Sequence, residues 1–124
     1  MSESTFKPVL FLKQHCPFCL KLRIFLLEAN LLDFVSLREF LPDSDHEQTI
    51  RAELEGKIEK ITFPTAELTP GEYRSDSDGI ITRLAEKVGI DTAMLPTYRS
   101  YVDGAFKRMQ ALYIENINLK KQLD

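Results

Sequence analysis

The chain is 124 residues long, 44% hydrophobic and 28% charged, with a formal net charge of −3. That length predicts one domain with a real core, and a weakly acidic balance without a basic run excludes nucleic acid as the expected partner. The sequence shows neither an 18-residue uncharged apolar run nor a basic start followed by an apolar leader, so a soluble, cytoplasmic protein with no membrane partner is expected.

In chain order, Val9 to Lys13 reads as a short buried strand. Phe18 to Asn30 reads as a helix that is apolar on most sides, through Leu20, Leu22, Ile24, Phe25, Leu26 and Leu27. After the corner Asn30-Leu31-Leu32, a second strand is predicted over Asp33 to Leu37, and Pro42 interrupts the chain before a polar helix. Ser44 and Glu47 have capping-box spacing for that helix, Ile50 and Leu54 share one face, and Gly56 is its terminator. The acidic run Asp43, Asp45 and Glu47 reads either as a solvated loop or as a selector for a basic partner. Thr65 to Leu68 and Glu72 to Arg74 form a hairpin around Thr69-Pro70-Gly71. Ser75 or Asp76 then caps a helix with Ile80, Ile81, Leu84 and Val88 on its apolar face, stopped near Gly89. The order gives a mixed sheet with helices on its faces.

Tyr98 to Asp124 is the last helix, with Tyr101, Val102, Ala105, Phe106, Met109, Leu112, Tyr113 and Ile117 at steps of three and four. Two readings of this stripe stay open. It covers the domain's own core, or it packs against a second subunit as a homodimer contact. Gly104 inside it weakens the helix slightly.

The chain's chemistry concentrates in His15-Cys16-Pro17-Phe18-Cys19. Its two cysteines lie two residues apart, after a strand and at the opening of a helix, where a disulfide closes with little backbone movement and helix amides favour the thiolate of the first sulfur. Cys16 is the expected nucleophile and Cys19 the resolving thiol one turn in. Pro17 tolerates the first turn, Lys13 adds positive potential, and His15 either adds to it or simply shapes the turn at the surface. A structural zinc site is disfavoured: two cysteines supply half a tetrahedron, His15 adjoins Cys16 and His46 is remote.

These residues, with Thr62-Phe63-Pro64 and the run Tyr73 to Ile81, resemble a glutaredoxin-type member of the thioredoxin-like superfamily, in the branch similar to the amino-terminal domain of glutathione S-transferases. The resemblance spans about residues 9–90. It implies an α/β, thioredoxin-like fold, a mixed four-stranded sheet flanked by helices. Residues 1–90 would be the glutathione-binding domain, and residues 91–124 a long helical extension packed on that domain or on a partner subunit. The extension resembles at most the first helix or two of a transferase carboxy-terminal domain.

What the resemblance implies for function is glutathione-dependent reduction of glutathionylated or disulfide-containing proteins and small mixed disulfides, with glutathione as co-substrate and no metal. Cys16 and Cys19 would be catalytic; Lys13, Phe18, Phe63, Pro64, Asp76 and Ser77 would bind glutathione. Pro64 matches a cis-proline facing the thiols, and Phe63 stands where many relatives have valine. Asp76-Ser77 matches the pair that holds the γ-glutamyl end, although Asp and Ser also read as simple helix caps. Three other functions stay open: a conjugating transferase, an iron-sulfur carrier using Cys16 and glutathione from two protomers, and a non-enzymatic module presenting the helix from Tyr98 to Leu123.

Overall fold

The structure is a computed structural model and describes residues 6–123. It is a mixed α/β fold, with a four-stranded mixed sheet flanked by helices and followed by a long C-terminal helix. Strand β1 (Val9–Lys13) leads into helix α1 (Pro17–Glu28), β2 (Ser36–Phe40) and α2 (Asp45–Leu54). The hairpin β3 (Thr65–Thr69) and β4 (Glu72–Arg74) precedes α3 (Ser77–Val88). The sheet order is β2-β1-β3-β4, with β1 parallel to β2 and the other two pairings antiparallel.

Alternation along the strands builds two apolar layers. Leu10 and Leu12 of β1, with Ala66 and Leu68 of β3, face α1 and α3, where Leu22, Phe25, Leu26, Ile80 and Leu84 are buried. Phe11 and Phe40 face the other way and meet Ile50 and Leu54 of α2. The apolar surround of α1 follows from this placement, since one helix contacts the sheet, α3 and the C-terminal segment.

The second strand lies three residues later than its predicted start at Asp33. Asn30 takes a left-handed conformation (φ 62°), Leu31 N–H bonds to the Leu26 carbonyl at 2.8 Å and Asn30 N–H to Leu27 at 3.2 Å, a Schellman closure of α1. Leu32–Phe34 then forms a single 3₁₀ turn, and pairing starts where Ser36 N–H reaches the Pro8 carbonyl at 2.8 Å. Phe40 fixes this register by filling the α2 layer, whereas Leu32 and Phe34 stay exposed.

The capping box at Ser44 forms in modified form. Ser44 Oγ accepts the Glu47 N–H, but the Glu47 carboxylate reaches back to the Asp43 amide at 2.7 Å and to Arg51 at 2.8 Å. Glu47 is thereby tied into α2's first turn rather than left as a free acidic contact. Asp76, not Ser75, caps α3 by accepting the Gly79 N–H, and Gly89 closes that helix at φ 73°.

The predicted last helix is interrupted. It runs as α4 (Pro96–Tyr101), a π-helical turn over Val102–Phe106 and α5 (Lys107–Leu123); Asp124, the expected end, lies outside the described residues. The Glu28 carboxylate at the end of α1 caps α4 by accepting the Thr97 and Tyr98 N–H groups at 2.9 and 2.7 Å. Tyr98 and Phe106 are buried on the domain, whereas no α5 residue is buried. The stripe thus covers the domain's own core as far as Phe106 and leaves its second half open.

Phe106→Ala is expected to lower unfolding stability by about 3 kcal/mol, because a buried ring is lost between α1 and the extension. Ile114→Ala on exposed α5 should change it by less than about 0.5 kcal/mol. Urea unfolding at micromolar protein measures both.

Candidate functional site

Cys16 occupies the N-cap of α1 in extended conformation (φ −114°, ψ 121°), with Pro17 in the first helical position, where its missing N–H costs nothing. The preceding His15 is left-handed (φ 64°), which turns the chain sharply from β1 into the helix. Cys16 is half-buried and Cys19 is 1% exposed; both are free thiols. Cys19 sits beneath the loop because its sulfur accepts the Lys13 backbone N–H at 3.3 Å.

This placement separates the two thiols chemically. The Cys19 thiol donates a hydrogen bond to Cys16 Sγ, the strongest influence on it, and the backbone N–H groups of Cys19 and Phe18 and the Lys13 charge act in the same direction. Against the opposing effect of burial, they lower the Cys16 pKa from 9.0 to about 6. That leaves about nine-tenths of Cys16 as thiolate at pH 7. Cys19 moves strongly the other way, because its proton is held by Cys16 and its surroundings are apolar.

Cys16 opens into a surface groove of about 650 Å³. One wall comes from the N-terminal region, through Lys13, His15 and Leu20, and the other from the extension, through Tyr101, Ala105 and Met109. Arg23 of α1 and Glu39 of β2 form an ion pair at its edge. The Tyr101 hydroxyl donates to the Pro17 carbonyl at 2.9 Å, which ties the extension to the Cys16 loop. Burial and then the Cys16 charge push the Tyr101 pKa upward, so this hydroxyl stays protonated as a donor. Phe106 lies edge-on to Phe18 at 5.2 Å, with the Lys21 ammonium 4.6 Å from the Phe106 ring centre and paired to Asp78 of α3.

Of the residues singled out in the sequence, Lys13 and Cys16 share the groove. Phe18 spends its ring on Phe106. Phe63 joins cis to buried Pro64 and bridges both layers: its ring meets Phe40 at 4.7 Å and carries the Arg51 guanidinium at 5.2 Å, and it packs against the same cluster as Cys16. Asp76 is exposed at the start of α3 and Ser77 is buried behind it. Phe63, Pro64, Asp76 and Ser77 lie outside the groove lining. Among the described residues, no three His, Cys, Asp or Glu side chains gather as a metal-binding group.

Sequence reasoning missed Arg23, Glu39, Tyr101 and Met109 as groove residues, because each reads as an ordinary helix or strand position until the extension folds back. It also missed Arg74, whose guanidinium lies so close over Gly79 that a Cβ there would fall 2.1 Å from its Nε. A side chain at position 79 would displace that cation, which forms a 3.8 Å ion pair with Asp76. No family model, curated protein or solved structure matches this chain.

The rate of Cys16 alkylation by a haloacetamide is expected to rise with pH through a midpoint near 6. Cys19→Ala should move that midpoint up toward 9.0, and by more than Lys13→Met does, because the lost thiol donor is the larger influence. Mass-spectrometric alkylation profiles from pH 4 to pH 10 check the order.

Proposed function

We propose that this chain is a glutathione-dependent thiol–disulfide oxidoreductase of thioredoxin-like, glutaredoxin type, acting on mixed disulfides in a reducing cytoplasmic compartment. The observation that carries the reading is the division of labour between the thiols: a groove-facing Cys16 stabilised as thiolate, and a buried protonated Cys19 bonded to it. A merely structural pair has no need of one low-pKa member open to solvent.

In the proposed cycle, the Cys16 thiolate attacks the glutathione sulfur of a mixed disulfide. The substrate S–S bond breaks as the Cys16–glutathione bond forms, and the substrate sulfur leaves with the electron pair and takes up a proton from water. A glutathione thiolate then attacks the glutathione sulfur held on Cys16, releasing oxidised glutathione and restoring the Cys16 thiolate. The net exchange converts one mixed disulfide and one glutathione into one thiol and one glutathione disulfide, so two electrons pass and none is left over. Cys19 offers a second exit. After losing its proton it attacks Cys16, releases glutathione and closes a Cys16–Cys19 disulfide that two further glutathiones reopen.

Glutathione is assigned to the surface between the Cys16 loop, the Phe63–Pro64 backbone and the start of α3. Support comes from Phe63, which packs against the same core cluster as Cys16, and from the Arg74 cation at the start of α3. There the exposed Arg74 guanidinium suits the ligand's γ-glutamyl carboxylate, and exposed Asp76 suits its ammonium group. The extension-lined groove, whose lining includes none of Phe63, Pro64, Arg74, Asp76 and Ser77, is left for the second half of the disulfide.

Glutathione-dependent turnover of a small mixed disulfide tests the reading. Cys16→Ser should lose activity by about 100-fold or more, while Cys19→Ser keeps a substantial part of it. No turnover by the unaltered protein would sink the proposal. Asp76→Asn is expected to raise the KM for glutathione several-fold with a smaller effect on kcat, since it removes a binding charge and leaves Cys16 intact.

A further inference from the structure

Beyond Met109, helix α5 carries an apolar seam that no other described residue buries. Leu112, Leu119 and Leu123 are 64%, 52% and 86% exposed, on a helix without a buried residue. At 1.5 Å per residue the seam from Met109 to Leu123 runs over about 21 Å of the 17-residue helix. Its spacing is informative: Met109, Leu112, Asn116, Leu119 and Leu123 succeed one another at three, four, three and four residues. That is the a/d pattern of a heptad, with Asn116 as the one polar a position. A shallow groove whose lining includes Leu112, Glu115, Asn118, Leu119 and Gln122 runs along one flank of this seam, without Met109, Asn116 or Leu123.

We propose that α5 pairs with α5 of a second copy of this chain as a short, parallel two-stranded coiled coil. The charges flanking the seam select this occupant. With Met109 at a, Glu115 falls at g and Lys120 at the following e, so a parallel pair sets Glu115 of each copy against Lys120 of the other, twice by symmetry. An antiparallel pair sets g against g, so Glu115 meets Glu115 or Gln122 according to register and loses its Lys120 partner. Asn116 strengthens the choice, because a single asparagine at an a position specifies register and two-strand pairing at some cost in stability. In the parallel arrangement the two asparagines face each other in the middle of the seam.

Dimerisation also reaches the thiol groove. Met109, the first layer of the seam, is a groove residue, so the two Cys16 grooves would open near the root of the coil. The pairing itself rests on the helix and not on the proposed redox activity.

Sedimentation equilibrium from about 5 to about 500 µM under reducing conditions tests it, the range suited to a small interface. The expected result is a concentration-dependent monomer–dimer equilibrium that Leu112→Glu/Leu119→Glu abolishes while circular dichroism shows the domain folded. Glu115→Lys and Lys120→Glu should each weaken the dimer roughly tenfold, and the double swap should restore it. Asn116→Leu should tighten association. A monomer at every concentration overturns the inference and leaves the seam for another protein's helix. A dimer that ignores the two glutamates, or a double swap that fails to recover, overturns the parallel α5 pairing.

Discussion

Everything at the thiol site depends on how the end of β1 holds the second cysteine. The Lys13 amide, at the C-terminal end of the interior strand β1, bonds to Cys19 Sγ and keeps that sulfur beneath the helix. Cys19 is thereby surrounded by Leu12, Leu22 and other core side chains, where a thiolate is poorly solvated. It retains its proton and gives it as a hydrogen bond to Cys16, which is one turn nearer solvent and meets the first free amides of α1. The asymmetry between two chemically identical side chains is therefore a consequence of depth. Three residues of helix move one sulfur from a groove wall into the core.

The extension adds a second constraint. Glu28 fastens α4 to the C-terminal end of α1, while Tyr101 and Phe106 fasten the following turn to α1's first residues, Pro17 and Phe18. One helix is thus gripped at both ends by residues far from it in sequence. Lys21 sits between these grips, 3% exposed, with its charge answered by Asp78 and by the face of Phe106. A buried lysine without those partners would be costly, so α1, α3 and the extension are held in one arrangement. The outcome for the site is a second wall beside Cys16, which makes a groove out of a loop that the sheet domain alone would expose.

Much of the fold was legible because its signals are local. The continuous apolar run of β1, the alternation in β3, the Thr69-Pro70-Gly71 turn, the Ser44 cap and the Gly89 stop each act within a few residues. The second strand was misplaced because Phe34 and Val35 look as strand-like as Leu37 and Phe40, and only α2, packed on the far side, decides which set is paired. The Cys-x-x-Cys pair was legible as a motif, and its helix-opening position follows from Pro17. The groove was not, since Tyr101 and Met109 carry no chemical signature of their own and reach Cys16 only after about 85 residues of intervening chain have folded.

The interrupted last helix shows how one periodicity can describe two surfaces. Read as a single α-helix, Tyr98, Tyr101, Val102, Phe106, Met109 and Leu112 lie on one continuous stripe, and that stripe must cover either the domain or a partner. A π turn holds one residue more than an α turn, and each added residue rotates the downstream helix by about 100°. The turn at Val102–Phe106 contains Gly104, whose small helix preference makes the wider winding cheaper there than in the leucine-rich parts. Before it, Tyr98 faces α1; Phe106 completes that contact, and beyond it Leu112, Leu119 and Leu123 face away. The two readings of the stripe are therefore not rivals. The first half is bound to this domain by its aromatic side chains, and the second is turned out of reach of it, which is the condition an intermolecular seam requires.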